Sequence, residues 1–308
     1  RNTVPSFNDD IQGTGAVALA GVIAAIVAGG GSGSGTIDDQ RILFYGAGAA
    51  TLGIARLVRR TLAAAGVEGA ALDAAIIALD SKGVVHDGRP ELGDGKGEIA
   101  LTAAAVSALG LGQLLDAGLT EVIRQVKPTV LIGTSGQAGA FTEPAVRAMA
   151  AAAPAPLIWP LSNPTSCAEA TPSDILAWSD GRAVVATGSP FAPVAVDGRS
   201  RTISQANNVY IFPGVGLAAI AGHLKSVPDE AFIVAAKRLA ALTAQSAPAG
   251  GALYPPLADL RAISREIAVA VIEAGATAGW ASAADGARAA ELVDGAMWAP
   301  NYRAYVPA

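Results

Sequence analysis

The chain has 308 residues, enough at roughly 150 per domain for about two domains and a large core. Hydrophobic residues make up 52% and charged residues 15%, which excludes a disordered chain. A net charge of −5, with no basic stripe interleaved with aromatics, excludes nucleic acid as an expected partner. Aromatics are only 5%, and the apolar content is mostly Ala, Val, Leu and Ile with 36 Gly. That composition suits helices packed closely on a parallel sheet. The lone Cys167 cannot form an internal disulfide, and with two histidines no Cys/His zinc site can be built. The expectation is a reducing, cytoplasmic setting.

The chain starts at Arg1 without a charged n-region and cleavage site, so its start does not read as a signal peptide. It reaches the polar stretch Asn8-Asp9-Asp10 almost at once, and an upstream part is expected. Residues 13–31 are nearly charge-free and about long enough to span a bilayer. Much of that run is Gly and Ala, and glycines follow it. A buried helix ending at glycines is the better reading, with no membrane as partner.

Short β-rich runs follow, each ending in polar or glycine residues. They are Arg41–Tyr45, Ala75–Leu79, Thr129–Ile132, Leu157–Leu161 and Ala183–Ala186, with a helix predicted from about Ala50 to Ala65. This β-α alternation predicts an α/β fold, a Rossmann-type doubly wound parallel sheet. Thr171-Pro172-Ser173-Asp174 is a helix start, with Thr as N-cap and Pro in the first turn. From about Val227 the pattern is helical and Ala-rich, broken over Ala247–Leu257, and Met297–Tyr305 reads as an irregular aromatic tail.

Ligands bind beyond the carboxyl ends of such strands, where this sequence concentrates its polar and glycine residues. Gly46-Ala-Gly48 follows a strand and opens a helix. Gly46 permits the tight turn, and Gly48 lets backbone approach a pyrophosphate seated on the helix N-terminus. The third position of G-x-G-x-x-G is Thr51, with Gly53 two residues on. Asp80 ends the second predicted strand, where an acid accepts from the adenosine ribose and favours NAD over NADP. It lies farther from Gly46 than the usual spacing of about 20. Lys82 or Lys96 could meet a 2′-phosphate, which leaves NADP possible.

Asp9 and Asp10 are hard oxygen donors suited to Mg²⁺ or Mn²⁺, or else an N-cap and its neighbour. Asn163, Asn207 and Asn208 can hold a carboxamide or a carboxylate, or serve as turn residues. His86, in a predicted turn, and His223, on a predicted helical run, have no nucleophile partner, and Cys167 reads as an inert thiol.

Together these segments resemble the malic enzyme family. The matching stretches are 7–14 (FNDDIQGT), 42–55 (ILFYGAGAATLGIA), 79–89, 127–143, 160–166 (PLSNPTS), 186–194 and 205–220 (QANNVYIFPGVGLAAI), in order, with MWAPNY similar near the end. The resemblance implies oxidative decarboxylation of L-malate to pyruvate and CO₂, with NAD taking the hydride and Mg²⁺ or Mn²⁺ polarising the hydroxyl. It implies Asp10 as metal ligand and Asp9 as partner of a catalytic lysine. Gly46, Gly48 and Asp80 would hold the adenosine half, with Ala49, Ser81, Thr134 and Asn207 as further cofactor-binding residues. Asn163 and Asn208 would contact nicotinamide ribose or substrate.

The family's tyrosine acid, lysine base and Glu-Asp metal pair precede Asn-Asp-Asp and have no counterpart here. The expectation is therefore a C-terminal fragment, inactive alone, with 1–8 the remnant of a substrate domain and 9–206 the NAD(P)-binding domain. Residues 207–308 would be a helical segment completing the substrate domain, plus a tail. The whole protein would be a homo-oligomer, dimer or tetramer. The alternatives are a malolactic enzyme, which releases lactate without net NADH, and a non-catalytic dinucleotide-binding regulatory module.

Overall fold

The structure is a computed structural model that describes residues 4–31, 35–93, 95–246 and 251–299. The predicted tail beyond Ala299 and the first residues of the predicted break at 247–250 lie outside the described residues. A π-helical turn, Asp9–Gly13, runs into α1 (Thr14–Val27). Strand β1 (Ile42–Tyr45) leads through the glycine turn to α2 (Ala49–Ala64), α3 (Gly69–Ala74), β2 (Ile76–Asp80) and β3 (Gly83–Val84). Next come α4 (Ala103–Ala108), α5 (Leu119–Val126), β4 (Val130–Gly133), α6 (Glu143–Ala152), β5 (Leu157–Pro160) and α7 (Pro172–Trp178). Strands β6 (Val184–Thr187), β7 (Val194–Val196), β8 (Arg199–Arg201) and β9 (Ser204–Gln205) follow. The chain ends in α8 (Phe212–Ala221), α9 (Asp229–Ser246), α10 (Leu260–Ala278), α11 (Ala283–Ala287) and α12 (Ala289–Ala296).

The described strands form one seven-stranded sheet, ordered β3-β2-β1-β4-β5-β6-β9, plus the β7-β8 hairpin. All neighbours in the sheet pair in parallel except the antiparallel edge strand β3. The predicted doubly wound sheet is therefore present, and each predicted strand is found within one residue at either end. The edge strands β3 and β9 have two residues each. Short edges of this kind resist further strand addition.

Alternate residues of each strand feed two cores, as the period of two requires. Ile42, Phe44, Ile76, Ile132 and Trp159 face the layer of α1, α2, α8, α9 and α10. Leu43, Ile77, Leu131 and Ile158 face the layer of α4 to α7. The helix Asp9–Val27 is long and apolar enough to cross a bilayer, but 72% of its most apolar window is buried inside the protein. It packs against α9 and α2 and ends where Gly29 takes φ +91°, as expected of a buried helix.

Helix α1 and the π-turn approach α2 so closely that only glycine fits. A Cβ on Gly15 would lie 2.7 Å from the Gly53 carbonyl oxygen, and one on Gly53 would lie 2.1 Å from the Ile11 carbonyl oxygen. In the sequence Gly53 stands two residues past the third motif position, where a glycine commonly serves close helix–strand packing. The structure uses it instead for a helix–helix contact. His223 corrects a second expectation: it sits beyond the end of α8 at φ +45°, not on a helix. Gly53→Ala should destabilise the fold by about 1–3 kcal/mol, because backbone rather than a flexible side chain must move. Urea unfolding measures this as a lowered midpoint; an unchanged midpoint would refute the contact.

Candidate functional site

Two crevices open along the carboxyl edge of the sheet. The first, about 410 Å³, lies where β1 pairs with β2 on one side and β4 on the other. This reversal of strand order, between β1 and β4, is where doubly wound folds bind ligands. Gly46, Gly48, Asp80, Ser81 and Thr134 all line it. Ala49 is exposed at the first position of α2 and is not part of that lining.

The two glycines of the turn have different reasons to be glycine. Gly46 has φ +113°, and a Cβ there would meet the Thr134 carbonyl group at 2.7 Å. Gly48 has ordinary extended backbone, and a Cβ there would meet nothing within 4 Å. Gly46 therefore serves the fold, whereas Gly48 leaves the mouth of α2 open to a ligand. Thr51, which stands at the third motif position, is buried. Its hydroxyl donates to the Gly46 carbonyl at 2.9 Å and lies 2.6 Å from the Thr134 hydroxyl. The hydroxyl thus ties the turn after β1 to the loop after β4.

Asp80 is more heavily engaged than the sequence suggested. Arg89 Nη1 donates to both carboxylate oxygens at 2.9 and 3.0 Å, Lys96 Nζ donates at 2.5 Å, and the Lys82 backbone N–H at 2.9 Å. Burial alone would raise its pKa, but the bonds from Lys96, the Lys82 amide and Arg89 outweigh burial and hold it at about 2. Of the cations weighed for a 2′-phosphate, Lys96 lines the crevice but is paired with Asp80. Arg89 was not foreseen, and its Nη2 is buried without a partner.

The second crevice, about 420 Å³, gathers Asp9, Asp10, Asn163, Asn207 and Asn208. Asn207 Oδ1 accepts from the Val209 N–H at 3.0 Å, so this residue does act as a turn cap. Asn208 Nδ2 donates to Asp9 Oδ2 at 3.1 Å and to the Asp9 carbonyl at 3.1 Å. Asp9 Oδ1 is buried with no hydrogen-bond partner. Burial raises the Asp9 pKa, the Asn208 bond opposes the rise, and the charge of Asp10 adds to it. Asp10 is exposed on the crevice wall. Asn163 Oδ1 accepts from the Ser189 hydroxyl at 2.5 Å. The turn carrying the two acids is braced from both sides: Gln12 Nε2 donates to the buried Asp229 of α9 at 2.8 Å, and Asp229 lies 3.6 Å from Arg60 of α2. Among the described residues no three His, Cys, Asp or Glu side chains converge as a complete metal site.

A family model described as "Malic enzyme, NAD binding domain" matches residues 11–276. The chain belongs to the malic enzyme family. It is 41% identical to the NAD-dependent malic enzyme of Pseudomonas aeruginosa over 299 residues, covering 97% of this chain and 52% of that protein. It is 40% identical to the NAD-dependent malic enzyme of Acinetobacter baylyi, with the same coverage. The chain therefore spans about half the length of these curated relatives. Among solved structures, Entamoeba histolytica malic enzyme superposes with a TM-score of 0.72 at 23% identity, covering 95% of this chain and 54% of that one. Pyrococcus horikoshii malic enzyme gives 0.68 at 23%, covering 96% and 62%. These two likenesses bear on the fold alone.

Two outcomes follow from the first crevice. Gly48→Ala should leave unfolding stability within about 0.5 kcal/mol while weakening dinucleotide binding, as calorimetry would measure. A stability loss with binding intact would reverse the roles given to Gly46 and Gly48. The second concerns pH. The Asp80 pKa is depressed below the unfolded value of about 3.9, so its contribution is in place above about pH 4 and is lost as pH falls towards 2. The stability difference between the wild type and Asp80→Asn should shrink across that window in urea titrations. A pH-independent difference would show that the carboxylate charge is not what Arg89 and Lys96 hold.

Proposed function

We propose that this chain supplies the dinucleotide-binding part of an NAD-linked malic enzyme, which converts L-malate to pyruvate and CO₂. The observation that carries this reading is the gathering of all but one of the candidate residues into two crevices on one sheet edge. The relatives named NAD-dependent malic enzymes, at about 40% identity, support NAD as the dinucleotide. In this reading the Gly46–Gly48 turn and the N-terminus of α2 receive the pyrophosphate. Asp80 accepts from the adenosine ribose, with Ser81 and Thr134 beside it. Asn163 and Asn208 face the nicotinamide end and the substrate.

Asp9 and Asp10 fit a share of a divalent cation site. They are hard oxygen donors, one oxygen of Asp9 is buried without a partner, and Mg²⁺ is commonly held by only one or two carboxylates. In this reading Asp10 is a ligand, while Asp9, oriented by Asn208, accepts from a cationic side chain. A bound Mg²⁺ or Mn²⁺ would polarise the substrate oxygens. We further propose that 9–206 is the NAD-binding unit and that 207–308 adds helices toward the substrate.

The test is an assay of the whole protein, this chain together with the half of its relatives' length that it does not span, with L-malate, NAD or NADP, and Mg²⁺ or Mn²⁺, following NADH, pyruvate and lactate. NADH and pyruvate in equal amounts are expected, with NAD preferred. Asp10→Ala should cut metal-dependent turnover at least about 100-fold and leave NAD affinity within about twofold. Lactate without net NADH would replace this reading with a malolactic one, and NAD binding without turnover would leave a regulatory module.

A further inference from the structure

Glu169 is fully buried between the two crevices, and neither cofactor nor substrate contact accounts for it. Its Oε1 accepts from the Ser135 N–H at 2.8 Å, the Ser135 hydroxyl at 2.8 Å and the Ser162 hydroxyl at 2.6 Å. Its Oε2 accepts from the Ser162 N–H at 3.4 Å. Four bonds thus meet at this one side chain, and no ion pair to it occurs among the described residues.

The two serines pass this anchoring on. Ser162 Oγ accepts from the Gly136 N–H at 2.9 Å, and Ser135 Oγ accepts from the Gln137 N–H at 3.1 Å. The amides of 135, 136 and 137 are thus all fixed, directly or through one hydroxyl, by one carboxylate. The Glu169 carbonyl also accepts from the Phe141 N–H at 2.9 Å, where the same loop ends. Room for the carboxylate comes from Gly133, the last residue of β4: a Cβ there would lie 2.5 Å from Glu169 Cδ.

The loop after β4 lines the first crevice through Thr134, Ser135 and Gln137. Ser162 stands between Leu161 and Asn163, both of which line the second. One buried carboxylate therefore joins the walls of both crevices. We propose that Glu169 is a positioning residue that locks the β4 and β5 loops into one frame, so that a single dinucleotide is held across both crevices at once. The inference rests on the dinucleotide reading above, and on that reading's assignment of the two crevices to the two halves of one ligand.

The test compares NAD with AMP, which fills the first crevice only, by calorimetry on the wild type, Glu169→Ala and Glu169→Gln. Glu169→Ala is expected to weaken NAD about tenfold, the effect of losing one hydrogen bond at the upper end of the usual range, and AMP by less than about twofold. Glu169→Gln keeps one oxygen for the serines and should recover part of the NAD loss, again with AMP unchanged. If Glu169→Ala does not fold, the same comparison is made with Glu169→Gln, and about a threefold selective loss of NAD is expected. Equal losses for NAD and AMP, or no loss of NAD, would overturn the positioning role. A wild-type protein that binds AMP but not NAD would overturn the dinucleotide reading and this inference with it.

Discussion

The contact on which the site depends is the one between the Gly53 backbone of α2 and the Ile11 carbonyl of the π-turn. The N-terminus of α2 forms the mouth of the first crevice. The π-turn carries Asp9 and Asp10 into the second. Because the two backbones meet with no side chain between them, the distance from the glycine turn to the acidic pair has little freedom to vary. The same helix α2 carries Arg60 to Asp229, which in turn holds Gln12. The geometry of both crevices is thus referred to one helix, and close packing makes that reference rigid.

The sheet and its carboxyl edge were legible in the sequence because the central strands are apolar runs that end in glycine or polar residues. Strands β3 and β9, at two residues each, and the β7-β8 hairpin, at three residues per strand, were not, since alternation cannot be seen over such lengths. The G-x-G turn was legible from its strand–turn–helix setting, yet the motif could not assign its own parts. Thr51 stands where a third glycine is common and does different work, joining two loops through a hydroxyl. The glycine that mattered for packing, Gly53, was visible only as a near miss.

Asp80 and the acidic pair were found by type and position, whereas their partners were not. Arg89 follows the turn predicted around His86, and its pairing with Asp80 depends on how the chain folds back after β2. Glu169 left no local signal at all. It sits between two alanines, and the serines that hold it are 34 and 7 residues away. The one trace of it in the sequence is Gly133, a glycine at a strand end with no turn that requires it.

The two crevices differ in charge, and that difference constrains what each can hold. In the first, one carboxylate is matched by Arg89 and Lys96, and the N-terminus of α2 adds partial positive charge, so an anionic diphosphate is welcome. In the second, the asparagines are already engaged: Asn163 accepts from Ser189, Asn207 caps a turn, and Asn208 holds Asp9. The spare acceptor capacity there belongs to carboxylate oxygens, and among the described residues that line it none is cationic. A dicarboxylate cannot settle against two carboxylates without positive charge between them, because like charges in a partly desolvated cleft repel more strongly than in water. Under the proposed function, a dicarboxylate substrate would therefore need positive charge, from a divalent cation or a cationic side chain, brought to Asp9 and Asp10.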